Sequence, residues 1–359
     1  MKANTIPTPY RARVGWLRAR LEAADCDAAL VLNRMDQFWL TGFTGEDGAV
    51  AVTRRAVVLL TDGRFDETAA REAPWARKVL RVVRGAESIA EQLRALRARR
   101  VAFDPGHMHV ALHGELRKLL RPAQLRLTPG LLLEARRCKD AGEVSCVRRA
   151  VDVAQNAYAK MLEWVEPGMR ERDVAARLVY EMQLGGAQGA AFAPIVASGP
   201  NASLPHYESG DRKLRANEGF LLDWGARVGW YVSDLTRMVW LGSIPPKLPR
   251  AYAAVRAAHD EAIRAIRPGA SADAVDGVAR SCLEKLGLGE RFTHALGHGL
   301  GLDVHESPRL GRKSKDVLQS GMVVTVEPGV YLPGVGGVRL ESDVLVCEGG
   351  CEVLSSLPL

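Results

Sequence analysis

The chain has 359 residues, 47% hydrophobic and 25% charged, enough apolar material for roughly two domains of ordinary size. No run approaches the roughly 18 uninterrupted apolar residues of a membrane span, and residues 1–20 carry arginines but no apolar core of a signal peptide, so a cytoplasmic protein is expected. The net charge of +7 is mostly arginine spread over helix-like segments, without zinc-finger or aromatic-basic patterns, so nucleic-acid binding is not expected.

Along the chain, residues 10–24 place Val14, Leu17 and Leu21 at helical spacing. Residues 28–32, 49–52, 56–60 and 101–103 are short apolar or β-branched runs closed by turn residues, and read as strands of a small α/β domain. The run Glu91 to Arg100 reads as an amphipathic helix with a solvated basic face. His107, His109 and His113 lack a nearby carboxylate or cysteine to complete a metal site and read as surface residues. Thr128-Pro129-Gly130 breaks the chain, and a domain boundary is expected near residue 130, giving domains 1–130 and 131–359. Helices are expected over 142–164, stopped by Pro167-Gly168, and over 171–184, 250–266 and 272–286. The later pair separates two strand-rich blocks, which suggests two similar halves. The six cysteines are scattered without zinc-ribbon spacing and are expected to be reduced.

Three glycine-punctuated blocks in the last third carry the chemistry. Asp223 follows the apolar Phe220-Leu221-Leu222, and Asp234 lies on the far side of a predicted turn. A strand–turn–strand unit can bring both carboxylates to one sheet face, where such charges are costly unless paired or bound to metal. Glu327 and Glu341 repeat the arrangement inside apolar runs, where bare carboxylates are rare. His298 stands between Gly297 and Gly299, which allow close backbone approach. Two Asp, one His and two Glu suit hard or borderline cations such as Mn²⁺, Co²⁺ or Zn²⁺.

These blocks resemble those of the pita-bread metallopeptidases, the group of aminopeptidase P, prolidase and methionine aminopeptidase, and residues 1–130 resemble the creatinase-type N-terminal domain. The resemblance implies an α/β (α+β) protein with a small N-terminal domain and a pita-bread catalytic domain of pseudo-twofold halves. It implies two divalent metal ions, with Asp223 on one, His298 and Glu327 on the other, and Asp234 and Glu341 bridging. Metal-bound hydroxide would attack the scissile carbonyl, with Glu327 as proton shuttle. His206 matches a substrate-binding position, His305 would steady the carbonyl oxygen, and His294 would line the same pocket. Arg339 is a partner for a carboxylate or for substrate. The implied activity is Xaa-Pro aminopeptidase, with a dipeptide-restricted prolidase as alternative, and a homodimer is expected. A peptidase-like binding module and a metal-independent creatinase-like hydrolase would be expected to lack part of this ligand set. Ser342 stands where relatives often carry Asp, and Ala295-Leu296 where they carry Gly-Thr; both departures bear on substrate preference.

Overall fold

The computed structural model describes residues 7–80 and 85–359. The chain divides into two compact units, one ending at Ala135 and the other running from Arg136 to Leu359.

The first unit is built on a mixed sheet of six strands. In spatial order these are Arg77–Leu80, Val57–Thr61, Ala49–Thr53, Ala28–Val31, Arg100–Phe103 and Gln124–Leu127. Ala49–Thr53 runs antiparallel to both neighbours, while Ala28–Val31, Arg100–Phe103 and Gln124–Leu127 are mutually parallel. The mainly apolar character of the four central strands follows from burial on both faces, with Leu30, Val58, Val101 and Phe103 packed among Ala90, Leu93 and Leu116 of the covering helices, while the edge strands are more polar and exposed. Helix Thr8–Ala23 buries Val14, Leu17 and Leu21, the residues its spacing marks.

The basic run Glu91 to Arg100 departs from the sequence reading. The helix is Ala86–Ala95, Arg97 turns left-handed at φ 56°, and Arg100 already opens a strand. The carboxylate of Asp27 explains the break: it accepts the backbone N–H groups of Arg99 and Arg100 at 2.9 and 3.0 Å. A helix would have no use for that cap. Of the three histidines, His107 and His109 are exposed, and His109 Nδ1 accepts the Leu112 N–H at 3.2 Å to cap a helix. His113 is half-buried, its ring 5.5 Å from that of Phe103.

In the second unit each half contributes two helices and an antiparallel sheet. The first half opens with helix Ala141–Trp164, started by a capping box between Asp140 and Glu143, and continues with helix Glu171–Leu184. Its three-stranded sheet orders Leu235–Leu241, Glu218–Trp224 and Ile195–Ser198. Trp224 is buried among Met161, Leu178 and Leu222, and its indole N–H donates to the Ala154 carbonyl at 3.0 Å. The second half has helices Leu248–Ala265 and Ala272–Lys285 over a five-stranded sheet. That sheet orders Glu306–Leu310, Gly297–Gly299, Val323–Val326, Ser342–Cys347 and Gly350–Val353. Val255, Leu283, Val324 and Val344 share its core. Each such side chain, fully buried, stabilises the fold by roughly 1.5–3 kcal/mol.

The halves meet where Thr236 and Glu341 form an isolated antiparallel bridge, the Glu341 N–H donating to the Thr236 carbonyl at 3.1 Å. All six cysteines are free thiols, and among the described residues no helix is long and apolar enough to cross a membrane.

Candidate metal centre

Asp223 lies near the end of strand Glu218–Trp224, directly opposite Thr236 of the partner strand. Asp234 immediately precedes that strand, Leu235–Leu241. From the second half come His298 in strand Gly297–Gly299, Glu327 just after Val323–Val326, and Glu341 just before Ser342–Cys347. A side chain at Gly297 would put its Cβ 2.0 Å from the Thr325 carbonyl oxygen, so only glycine lets these two strands close around His298. All five side chains line one cavity of about 650 Å³, together with His206, His294, His305 and Arg339.

Asp234, His298 and Glu341 offer ligand atoms that lie within 4.8 Å of one another. His298 Nε2 stands 3.4 Å from Glu327 Oε1 and 3.8 Å from Asp234 Oδ2. Its Nδ1 faces the Gly299 carbonyl at 3.1 Å. A carbonyl only accepts, so Nδ1 carries the proton and the Nε2 lone pair points at the carboxylates. Asp223 accepts from the Arg339 guanidinium through Oδ2, while its buried Oδ1 has no hydrogen-bond partner.

Electrostatically the cluster is unbalanced. Burial first, and then the charges of Glu341, Asp223, Asp343 and Glu327, hold the Asp234 carboxyl well above its ordinary range. Burial followed by Glu327 and Asp223 does the same to Glu341. Glu327 is pushed up to about 8, chiefly by burial. Burial also raises Asp223, against the pull of Arg339. His298 is lowered to about 4 by burial and by His305, and so stays neutral at physiological pH. An orphaned carboxylate oxygen, a neutral imidazole with a free Nε2 lone pair and more buried acids than cations fit divalent metal ions.

Two buried threonines hold the acids in place, and the sequence reading overlooked both. Thr236 Oγ1 donates to Glu341 Oε2 at 2.6 Å and accepts from Arg339 Nε at 3.1 Å. Thr325 Oγ1 accepts the His298 N–H at 3.1 Å and donates to Glu327 Oε1 at 3.3 Å. Their signal was present: Thr236 lies two residues from Asp234, and Thr325 two from Glu327, the spacing that shares a strand face.

The surrounding histidines divide into two kinds. His294 has both ring nitrogens engaged, Nδ1 with the Ala295 carbonyl and Nε2 with the Tyr331 hydroxyl, each at 2.8 Å. Arg339 donates to that same hydroxyl at 3.0 Å, so the tyrosine proton goes to His294. Burial and then Arg339 lower His294 to about 4, and it forms a neutral wall. His206 and His305 are exposed at the cavity, and the His305 ring lies 4.4 Å from that of His298. Arg339 is buried, and its carboxylate partner is Asp223.

His206 is placed from a distance. Glu171, fully buried on the first turn of its helix, accepts from Ser198 N and Oγ at 2.7 Å each, Asn201 Nδ2 at 3.0 Å and Tyr207 OH at 2.7 Å. One carboxylate thereby gathers the loop on both sides of Pro205 and His206. Arg339 Nη1 ties the Pro205 carbonyl to the centre at 3.2 Å. At the departures from family pattern, Ser342 is buried with Oγ 3.2 Å from His259 Nε2, and the Leu296 N–H donates to Asp276 Oδ1 at 3.0 Å.

A two-halved catalytic unit with acids from both halves converging beside a neutral imidazole defines a metallohydrolase architecture. The sequence profile of metallopeptidase family M24 matches residues 145–348, that of the Creatinase/Prolidase N-terminal domain matches residues 13–138, and the chain belongs to family M24. It is 36% identical over 241 residues to an Xaa-Pro dipeptidase of Pyrococcus horikoshii, a match covering 67% of this chain and 69% of that one. Among solved structures it is similar to an Xaa-Pro dipeptidase from Bacillus anthracis, with a TM-score of 0.94, 31% identity and 97% and 98% of the two chains covered. An X-Pro aminopeptidase from Thermotoga maritima has a TM-score of 0.90 at 29% identity, covering 96% and 98%.

Proposed function

We propose that this metallopeptidase hydrolyses the peptide bond between an N-terminal residue and a following proline. The observation that carries the reading is the convergence of Asp223, Asp234, His298, Glu327 and Glu341 in one cavity. In this reading Asp223 would hold one divalent cation, His298 and Glu327 would hold a second, and Asp234 and Glu341 would serve both. Mn²⁺, Co²⁺ and Zn²⁺ suit the donor set. When bound, such ions acidify water and polarise the scissile carbonyl.

The chain's own residues supply the rest. Glu327 carries a proton from water toward the leaving proline nitrogen. His305 donates to the carbonyl oxygen as charge develops there, and His206 binds substrate across the cavity. His294, neutral and fully bonded, excludes water rather than moving protons. Proline matters because its tertiary amide offers no N–H to a general peptidase. The names of the similar proteins support a dipeptidase at least as well as an aminopeptidase. A homodimer is proposed with it, to be checked by light scattering.

The test is hydrolysis of Gly-Pro beside longer Xaa-Pro-Pro peptides, in chelated protein with and without each metal. Metal-dependent cleavage of Gly-Pro alone defines a dipeptidase, and cleavage of the longer peptides defines an aminopeptidase. No cleavage with any metal would sink the reading in favour of a peptidase-like binding module.

A further inference from the structure

His305 immediately precedes the edge strand Glu306–Leu310 and reaches the cavity from a loop. Among the described residues its side chain makes no hydrogen bond, and its ring touches only that of His298, 4.4 Å away. What aims the imidazole is therefore its backbone.

That backbone is wound around one carboxylate. Glu306 Oε1 accepts the Leu302 and Asp303 N–H groups at 3.0 and 3.1 Å, closing the turn that leads to His305. Arg136 donates to the same oxygen and, at 2.7 Å, to Asp303 Oδ2, while Lys139 Nζ reaches Glu306 Oε2 at 3.2 Å. The Lys139 and Glu306 side chains are 1% and 3% exposed. Burial alone would raise the Glu306 carboxyl, but Lys139 and then Arg136 hold it below its ordinary value, so it stays an ionised acceptor. The cations are fixed in turn: Cys138 bridges Met322, and the Lys139 N–H donates to the Gly321 carbonyl at 2.8 Å. Gly301 admits the pair, since a Cβ there would lie 2.8 Å from Glu306 Oε2 and 2.9 Å from Lys139 Cε. Two cations on one buried acid are a poor route to stability, because packed apolar groups in their place are often neutral or better. As a fixed point from which charge-assisted N–H bonds set a loop, the same clamp is effective.

We propose that Glu306, clamped by Lys139 and Arg136, is the positioning residue for His305, holding its imidazole where it meets the substrate carbonyl oxygen. The inference rests on the Xaa-Pro reading above, in which His305 donates to that oxygen. In this assignment Glu306 touches no reacting atom and acts through its neighbour.

The experiment measures kcat and KM for Gly-Pro and a longer Xaa-Pro-Pro peptide in metal-loaded protein. The proteins are wild type, Glu306→Gln, Lys139→Met, His305→Ala, and each clamp variant combined with His305→Ala. His305→Ala is expected to lose about 100-fold in kcat. Glu306→Gln and Lys139→Met should each lose about tenfold in kcat, with KM and bound metal within about twofold of wild type. Added to His305→Ala, either change should lose less than about twofold more, because a residue working through His305 has no further effect once His305 is gone. The full single-variant loss repeated in the double variants, or a rise in KM with kcat unchanged, overturns the proposal. Lys139→Met leaves Glu306 paired with Arg136 and carries the test if Glu306→Gln does not fold. If wild type cleaves no Xaa-Pro peptide, that reading fails on its own, and proton–nitrogen correlation spectra of the imidazole rings in chelated protein decide the clamp. The His305 resonances, identified by their loss in His305→Ala, should move in both clamp variants while those of His259 stay. Unmoved His305 resonances, or shifts spread over every histidine, overturn it.

Discussion

The Tyr207 hydroxyl donates to the Glu171 carboxylate at 2.7 Å, and through this bond a helix in the first half of the unit places the residue next to His206. Glu171 gathers four donor groups at 2.7–3.0 Å. Glu171→Gln keeps the shape but turns an amide N–H₂ toward some of those donors. A buried donor left unsatisfied costs about 1–3 kcal/mol. The expected result is a lower Tm together with a rise in KM larger than the fall in kcat. Tyr207→Phe, losing one bond, should show the same pattern in weaker form. If kcat fell in both variants with KM unchanged, His206 would not be what Glu171 positions.

Replacing a like-charged acid should have opposite effects with and without metal. Asp234 is held protonation-prone by burial and by Glu341, Asp223, Asp343 and Glu327. Asp234→Asn removes the cost of burying an acid among like-charged neighbours, so chelated variant should melt higher than chelated wild type. With saturating Mn²⁺ the order should reverse, and bound metal and activity should drop by roughly 100-fold or more. Thermal melts and metal analysis on the same samples check both halves. Unchanged metal content would remove Asp234 from the ligand set.

Gly297→Ala is a purely steric test. Its Cβ would meet the Thr325 carbonyl oxygen at 2.0 Å, and strand backbone does not yield as a flexible side chain does. Overpacking of this kind costs about 1–3 kcal/mol or more. The expected outcome is a lower Tm and weaker metal retention, since Thr325 bonds both His298 and Glu327. A variant with normal Tm and metal stoichiometry would contradict the account of this glycine.

His259 gives a prediction in pH. Burial, the largest influence, lowers it from 6.5 to about 4, and its Nε2 meets Ser342 Oγ at 3.2 Å. Above pH 6.5 both folded and unfolded chains keep it neutral and its contribution is intact. As pH falls through 6.5 the unfolded chain binds the proton first, so stability drops until about pH 4, where the folded state protonates too. The full loss is about 3 kcal/mol. His259→Gln should flatten this acid limb in denaturant titrations from pH 7 to 4. Parallel curves for the two proteins would show that His259 does not drive it.

The acids and His298 stood out in the sequence as a set: Glu327 and Glu341 interrupt apolar runs where bare carboxylates are rare, Asp223 follows one, His298 sits between glycines, and the family resemblance joins them. So did the longer helices, whose periodicity is sustained over several turns. Glu171 was not legible. On a first helical turn an acid needs no further reason, and its partners lie well down the chain, in the loop around Pro205. Arg34–Thr41 was missed as a helix because eight residues carry too little periodicity, although Asn33 caps it through its side chain.

The bridge between Thr236 and Glu341 has a consequence for how the centre comes into being. Asp223 and Asp234 belong to the first half, and His298, Glu327 and Glu341 to the second. A growing chain has translated every residue of the first half before any ligand of the second exists. Neither half, expressed alone, carries the set. In the proposed assignment metal retention is therefore a readout of long-range assembly: an ion held tightly certifies that two sheets far apart in sequence have docked in register.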